Sequence, residues 1–114
     1  FNAHGGQIGL LQTAARELAA RAPSMAVLPG FLWSGVPGLE DLIPSMELQN
    51  GVHAGLAETS LMLALAPELV GPERPCDGLD SAIPIPEGWS LEGAAPYAWF
   101  TADISSSGVV GDTR

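Results

Sequence analysis

Proline and glycine limit the folds open to this chain, because ten prolines and 14 glycines interrupt its 114 residues. Proline ends helices and glycine weakens them. Their combined share stays below the roughly 25–30% of low-complexity chains, so a folded domain is expected. Two stretches, residues 7–22 and 54–66, contain a single glycine each and no proline. These two stretches are the predicted long helices.

The first predicted helix, residues 7–22, has an apolar stripe with helical spacing. Arg16, Glu17 and Arg21 fall off that stripe, and Pro23 closes the segment. The stripe consists of Leu11, Ala14, Ala15, Leu18 and Ala22.

An apolar run at residues 25–28 follows this helix and is suited to a buried strand that continues through residues 31–33. Alternation of strand and helix points to an α/β layer architecture. The helix at 54–66 is apolar nearly all round, which predicts burial on more than one side. A short helix at 39–42 and a strand at 97–104 are further expectations, with an extended loop at 76–96.

Charge and hydropathy exclude several functions. The net charge is −9 and no basic patch exists, so nucleic acid and anionic membrane surfaces are poor partners. A mean hydropathy of +0.24 is too apolar for a disordered acidic tail. We see neither a signal peptide nor an apolar run approaching the roughly 20 residues of a membrane span.

The lone cysteine, Cys76, rules out an internal disulfide framework and favours a reducing compartment, the cytoplasm. The chain starts at Phe1 and ends at Arg114, just after a glycine-rich stretch. Neither end resembles a natural terminus, so we expect a piece of a longer protein.

Both histidines lie at turns that open a helix. His4 sits in Asn-Ala-His-Gly-Gly-Gln at residues 2–7, and His53 precedes the helix at 54–66. In α/β sheets such turns lie where ligands bind, and small neighbours let a metal or substrate approach the backbone. A surface or capping role for each histidine is the alternative.

Glu58 follows His53 by five residues, which is about 140° around a helix axis. The pair therefore shares no helical face and can meet only if His53 lies before the helix and Glu58 in its first turn. Gly51 and Gly55 are compatible with that geometry. The alternative is that Glu58 only complements the helix dipole.

Other polar and aromatic residues have ordinary structural explanations. Asp77 and Asp80 are interpreted as turn acids, and Trp33, Trp89 and Trp99 as packing residues. Gly-x-Ser-x-Gly, phosphate-loop and dinucleotide glycine motifs are all missing from the sequence.

Four stretches of the chain resemble the creatininase (creatinine amidohydrolase) family. Residues 2–7 are similar to its N-G-H-G-G-N motif, and His-Ala-Gly-Leu-Ala-Glu-Thr-Ser at 53–60 is similar to H-A-G-x-x-E-T-S. The run at 61–70 and Ser-Gly-Val-Val-Gly-Asp at 107–112 extend the match. The order of these stretches is that of the family, and they span almost the whole chain.

The resemblance implies a three-layer α/β/α domain of about twice this length and usually an oligomer, here a homo-oligomer. It also implies a metal-dependent amidohydrolase that uses two divalent ions, zinc, manganese or iron, to activate a water. In the family, the first part of the domain supplies a Glu, a His and an Asp as further ligands. Residues 1–114 are thus expected to be the C-terminal part of a single domain.

Matched position by position, the resemblance implies that His4 is a metal ligand and that His53 handles the proton at the scissile nitrogen. It makes Glu58 either a ligand of the second ion or a general base. Gly6 stands where creatininase itself has a metal-binding glutamate, and Ala3 and Gln7 also depart from the motif. The expected substrate is therefore a small cyclic or formyl amide rather than creatinine. The alternative is a non-catalytic α/β module that binds a small molecule or completes an oligomer.

Overall fold

The computed structural model of the chain describes residues 2–80, 83–92 and 95–114. It divides into two compact units, Phe1–Leu39 and Glu40–Arg114. In chain order, the helices and strands of the described residues are α1 (Ile8–Arg21), α2 (Leu39–Leu42), α3 (Ser45–Asn50), α4 (Leu56–Leu65), β1 (Cys76–Asp77), α5 (Thr101–Ile104) and β2 (Gly111–Asp112). Short 3₁₀ turns occur at Gly5–Gln7, Leu32–Gly35 and Pro67–Leu69.

Helix α1 dominates the first unit and confirms the first predicted helix. Its end matches the sequence signal, since the Ala22 N–H donates to the Leu18 carbonyl at 2.8 Å just before Pro23. An exposed ion pair joins Arg21 to Glu17 one turn earlier at 3.4 Å. None of the residues of α1 is buried, so its apolar stripe stays accessible.

The strand predicted at residues 25–28 is wrong. Residues 26–30 form no regular structure, and Met25 and Leu28 are exposed by 58% and 88%. A single parallel bridge joins Phe31 to Asn2. Pro29 lacks a backbone N–H, so a continuous ladder cannot run through this segment.

The second unit contains a small antiparallel sheet in which Cys76 pairs with Asp112 and Asp77 with Gly111. An isolated antiparallel bridge between His53 and Val110 lies just before β2. Val110 is fully buried and is the centre of this region. The short helix predicted at 39–42 is confirmed as α2.

Helix α4 confirms the second predicted helix, but the predicted burial is wrong. None of its residues is buried, and Met62, Leu63 and Leu65 are exposed by 40%, 36% and 73%. The apolar composition correctly predicted a helix, whereas burial depends on neighbouring elements that the composition of one segment does not specify.

The strand expected at 97–104 is also wrong, because α5 occupies its second half. The Asp103 carboxylate accepts the Phe100 N–H at 3.2 Å, and the Asp103 N–H donates to the Phe100 carbonyl at 2.9 Å. This reciprocal cap favours a helical turn over the extended form that the aromatic residues suggested. The loop predicted at 76–96 is correct apart from the short strand β1, although residues 81, 82, 93 and 94 lie outside the described residues.

Helices with a small sheet are compatible with the predicted α/β class. Few side chains of the described residues are buried, since Ile43 and Val110 are the buried hydrophobic residues and four polar residues are buried as well. Those polar residues are Asn2, Glu47, Ser105 and Thr113. In the described ranges, no helix combines the length and the apolar character needed to cross a membrane.

Candidate functional site

The turn that carries His4 is built around buried Asn2. The Asn2 N–H donates to the Gly30 carbonyl at 2.9 Å, and the Asn2 carbonyl accepts the Leu32 N–H at 2.7 Å. The Asn2 side chain bridges His4 on both sides, accepting its N–H at 3.1 Å and donating to its carbonyl at 2.7 Å. The backbone of His4 is therefore fixed while its side chain stays exposed.

Trp33 supports the same turn, since its indole N–H donates to the Ala3 carbonyl at 2.7 Å. The packing role predicted for Trp33 thus includes a specific hydrogen bond beside His4. The imidazole of His4 leans over Gly6, and a Cβ added at Gly6 would lie 3.2 Å from Nε2. A glutamate at position 6 would crowd this ring orientation.

His53 is held through its backbone by Val110. The His53 carbonyl accepts the Val110 N–H at 2.8 Å, and the Val110 carbonyl accepts the N–H groups of Val52 and His53 at 3.0 and 3.3 Å. All three bonds are main-chain bonds, so replacing the imidazole leaves this anchor in place.

The sequence after His53 makes a tight turn into α4. Ala54 has a φ of +50°, a left-handed conformation that is uncommon outside glycine. Glu58, in the first turn of α4, folds back so that its Oε2 accepts the Ala54 N–H at 2.6 Å. The Thr59 hydroxyl donates to the Ala54 carbonyl at 3.0 Å. As predicted, His53 precedes the helix and Glu58 lies in its first turn.

Glu47 on α3 is a buried carboxylate that sequence reasoning missed. Its Oε1 accepts the Leu56 N–H at 2.6 Å, and its Oε2 accepts the Asp112 N–H at 2.8 Å. Gly51 and Gly55 surround this carboxyl group. These two glycines, interpreted from the sequence as compatible with a meeting of His53 and Glu58, also make room for Glu47.

Asp77 on β1 is more than the turn acid predicted. Its Oδ2 accepts hydrogen bonds from the hydroxyl of Ser105 and from the N–H groups of Ser106 and Ser107, each at 2.9 Å. The Ser107 hydroxyl adds a further bond at 2.9 Å, and Oδ1 accepts the Gly78 N–H at 2.8 Å. These donors, led by the Ser107 N–H, hold the pKa of Asp77 well below its ordinary value.

Asp112, whose N–H contacts Glu47, directs its carboxylate to Arg114. Its Oδ1 accepts the Arg114 Nε at 2.9 Å, and its Oδ2 accepts a second guanidinium nitrogen at 2.9 Å. These side-chain bonds lower the pKa of Asp112 to about 2. A cleft of about 470 Å³ lies nearby, lined by residues that include Met46, Cys76 and Ile104.

The metal site that the resemblance implies is incomplete in the described part of the chain. His4 and Glu58 offer an imidazole and a carboxylate, donors suited to zinc, manganese or iron. Within residues 2–80, 83–92 and 95–114, however, three or more His, Cys, Asp or Glu side chains are nowhere grouped to hold an ion. These residues alone do not fit a complete two-ion site.

Comparison with known families gives one result. The family described as Creatininase, creatinine amidohydrolase, matches residues 1–114, which is the whole of this sequence. The chain therefore belongs to the creatininase family, whose members are amidohydrolases that are generally metal-dependent. No curated protein and no solved structure matches the chain.

Proposed function

We propose that this chain is the C-terminal part of a metal-dependent hydrolase that cleaves a C–N bond of a small cyclic or formyl amide. The family match along the entire chain carries the proposal. Hydrolysis adds the oxygen of water to the amide carbon and leaves the nitrogen as a protonated amine. The chain then has to deliver a proton to that nitrogen and to orient the water.

His53 is the proton donor on this account. Main-chain hydrogen bonds of 2.8 and 3.3 Å fix its backbone to buried Val110, so the point from which the imidazole extends is fixed as well. The turn at Ala54 that follows separates it from α4. General acid catalysis by a histidine contributes typically about 10²–10⁴ in rate.

Glu58 either binds the second ion or orients the attacking water. Its Oε2 is 2.6 Å from the nitrogen of Ala54, so the carboxylate has turned back toward the residue next to His53. This contact supports a shared site for the two side chains. A helix cap makes the same contact, and replacing Glu58 by glutamine or by alanine separates the two roles.

His4 and Glu58 are the ligands that this chain would contribute to a pair of zinc, manganese or iron ions. When bound, the ions would supply an activated water as nucleophile. The remaining ligands in this proposal are a Glu, a His and an Asp from the preceding part of a three-layer domain, as the family resemblance implies. The exposed imidazole of His4, on a turn fixed by Asn2, supports its role.

Gly6 is the reason that the proposed substrate is not creatinine. The ring of His4 occupies the space beside Gly6, where a Cβ would approach Nε2 to 3.2 Å. Glycine has no side chain, so the position that holds a glutamate in creatininase contributes no ligand here. A different small amide, cyclic or formyl, is the proposed substrate.

The assembly and compartment are part of the proposal as well. Apolar side chains of α4, Met62, Leu63 and Leu65, are accessible, and such clusters are typical of surfaces covered in a larger assembly. We accordingly propose a homo-oligomer. The exposed free thiol of Cys76 supports a reducing compartment, the cytoplasm.

The second candidate is a non-catalytic module that binds a small molecule or completes an oligomer. The absence of a three-ligand group among the described residues favours it. Incubation of the metal-loaded full-length protein with N-formyl amines and cyclic amides separates the two. The enzyme releases amine, stops after chelation and recovers with zinc or manganese. Lack of hydrolysis at every metal loading would support the module.

A further inference from the structure

We propose that Glu47 is a positioning residue that holds the His53 turn in place for catalysis. This inference rests on the proposed function, because it assigns Glu47 a role in orienting a catalytic side chain. The side chain of Glu47 bonds to the backbone near His53. Its function would be exerted through the turn that carries the imidazole.

The first argument is that one buried carboxylate joins two separate segments. Glu47 is 5% exposed, and its two oxygens accept the N–H of Leu56 at 2.6 Å and the N–H of Asp112 at 2.8 Å. Bonds from N–H groups to an ionised carboxylate are shorter and stronger than neutral ones. Leu56 begins α4, whose N-terminus favours negative charge.

The second argument is that the backbone closes around this carboxyl group. A Cβ at Gly51 or Gly55 would overlap the Glu47 carboxyl group, and one at Gly111 would lie 2.7 Å from Oε1. A Cβ at Gly111 would also lie 2.7 Å from the Gly55 Cα. The backbone can approach this carboxyl group so closely only because all three positions are glycine.

The position of the two donors connects Glu47 to His53. Leu56 lies three residues after His53, and Asp112 lies two residues after Val110, the bridge partner of His53. Glu47 therefore fixes the far end of both segments that meet at the His53–Val110 bridge. Loss of either bond would let one segment shift and would displace the imidazole.

Two pairs of substitutions in the full-length protein test this role. Glu47→Gln keeps the size of the side chain but turns an amide NH₂ toward one of the N–H donors, and Glu68→Gln on the surface is its control. Gly55→Ala keeps the Glu47 carboxylate but displaces it, because the added Cβ would overlap the carboxyl group. Gly71→Ala is the matched control, because a Cβ there meets nothing within 4 Å.

Amide hydrogen exchange and amide hydrolysis are the two measurements. We expect Glu47→Gln and Gly55→Ala to speed exchange at Leu56, Asp112 and the His53–Val110 bridge by about tenfold or more, with Leu65 unchanged. For the N-formyl or cyclic amide that the unmodified protein hydrolyses fastest, kcat of both variants should fall by about 10²-fold, because the imidazole of His53 is misplaced. KM and metal content should stay the same. Both controls should match the unmodified protein.

Unchanged exchange at the His53–Val110 bridge in both variants would overturn the proposal, as would unchanged kcat in variants whose exchange has risen. A uniform rise in exchange that includes Leu65 would also overturn it, because it would show that Glu47 stabilises the whole fold and does not specifically position the His53 turn. If the unmodified protein hydrolyses none of the amides, the proposed function fails and the catalytic purpose of Glu47 fails with it. The exchange data would then still show whether Glu47 holds the His53 turn in place.

Discussion

Glu58 places its Oε2 2.6 Å from the backbone nitrogen of Ala54, so a carboxylate of α4 returns to the residue beside His53. The reason is local. Ala54 adopts a left-handed φ of +50°, which aims its N–H toward the first turn of the helix. A residue implied to act in catalysis is therefore also a cap.

Substitutions at Glu58 separate the two roles. Glu58→Gln keeps an oxygen that can accept the Ala54 N–H, so the free energy of unfolding should change by less than about 1 kcal/mol, while turnover should fall by about 10²-fold or more. Glu58→Ala removes the cap and should cost about 1–2 kcal/mol. Urea unfolding and amide hydrolysis measure the two effects, with Glu68→Gln as control. Full turnover in Glu58→Gln would show that Glu58 only caps the turn.

Asp77 predicts a pH dependence of stability. Its pKa in the folded chain lies below the ordinary value of about 3.9, so the folded state favours the ionised carboxylate. The resulting stabilisation is complete above that ordinary value and is lost as the pH falls through and below it. Acid should therefore weaken the fold through Asp77.

Asp77→Asn tests this dependence. At neutral pH the variant should melt at a lower temperature, because it lacks the charge that the serine N–H and hydroxyl groups favour. The difference in Tm should shrink as the pH falls below about 4, where the unmodified Asp77 starts to lose its own advantage. Asp80→Asn, at an exposed turn, is the control. A Tm difference that is constant with pH would contradict the assignment.

His4 predicts metal content. Hydrogen bonds from Asn2 and Trp33 hold the backbone of the turn around His4, and His4→Ala retains all of them, so the variant should keep the fold. Elemental analysis of the full-length protein should show at least one divalent ion lost from each site. Gln12→Ala on the exposed surface of α1 should retain all of them. Unchanged metal in His4→Ala would remove His4 from the ligand set.

Local sequence signals predicted the helices well. Both α1 and α4 lie within the predicted stretches, because apolar spacing and the prolines that follow act within a few residues. The strand at 25–28 failed for a different reason. A strand needs a partner to complete its hydrogen bonds, and Pro29 and the single Asn2–Phe31 bridge leave no ladder there.

The candidate site shows the same difference between features set by neighbouring residues and features set by distant ones. The turn between His53 and Glu58 follows from local spacing and was predicted. Glu47 was missed because one of its two partners, Asp112, lies 65 residues away along the chain. The sequence signal for Glu47 was the glycine spacing around His53, whose meaning depends on which side chain fills the space.

The hydrolysis rate of His53→Gln tests the central claim most directly. The metal-loaded full-length protein and this variant are compared on the same N-formyl or cyclic amide, with metal content and Tm measured alongside. We predict that the variant keeps its metal and its Tm, because the hydrogen bonds between His53 and Val110 are main-chain bonds that glutamine retains. Its turnover should fall by about 10²–10⁴-fold. Equal turnover in a folded, metal-loaded variant would contradict the account.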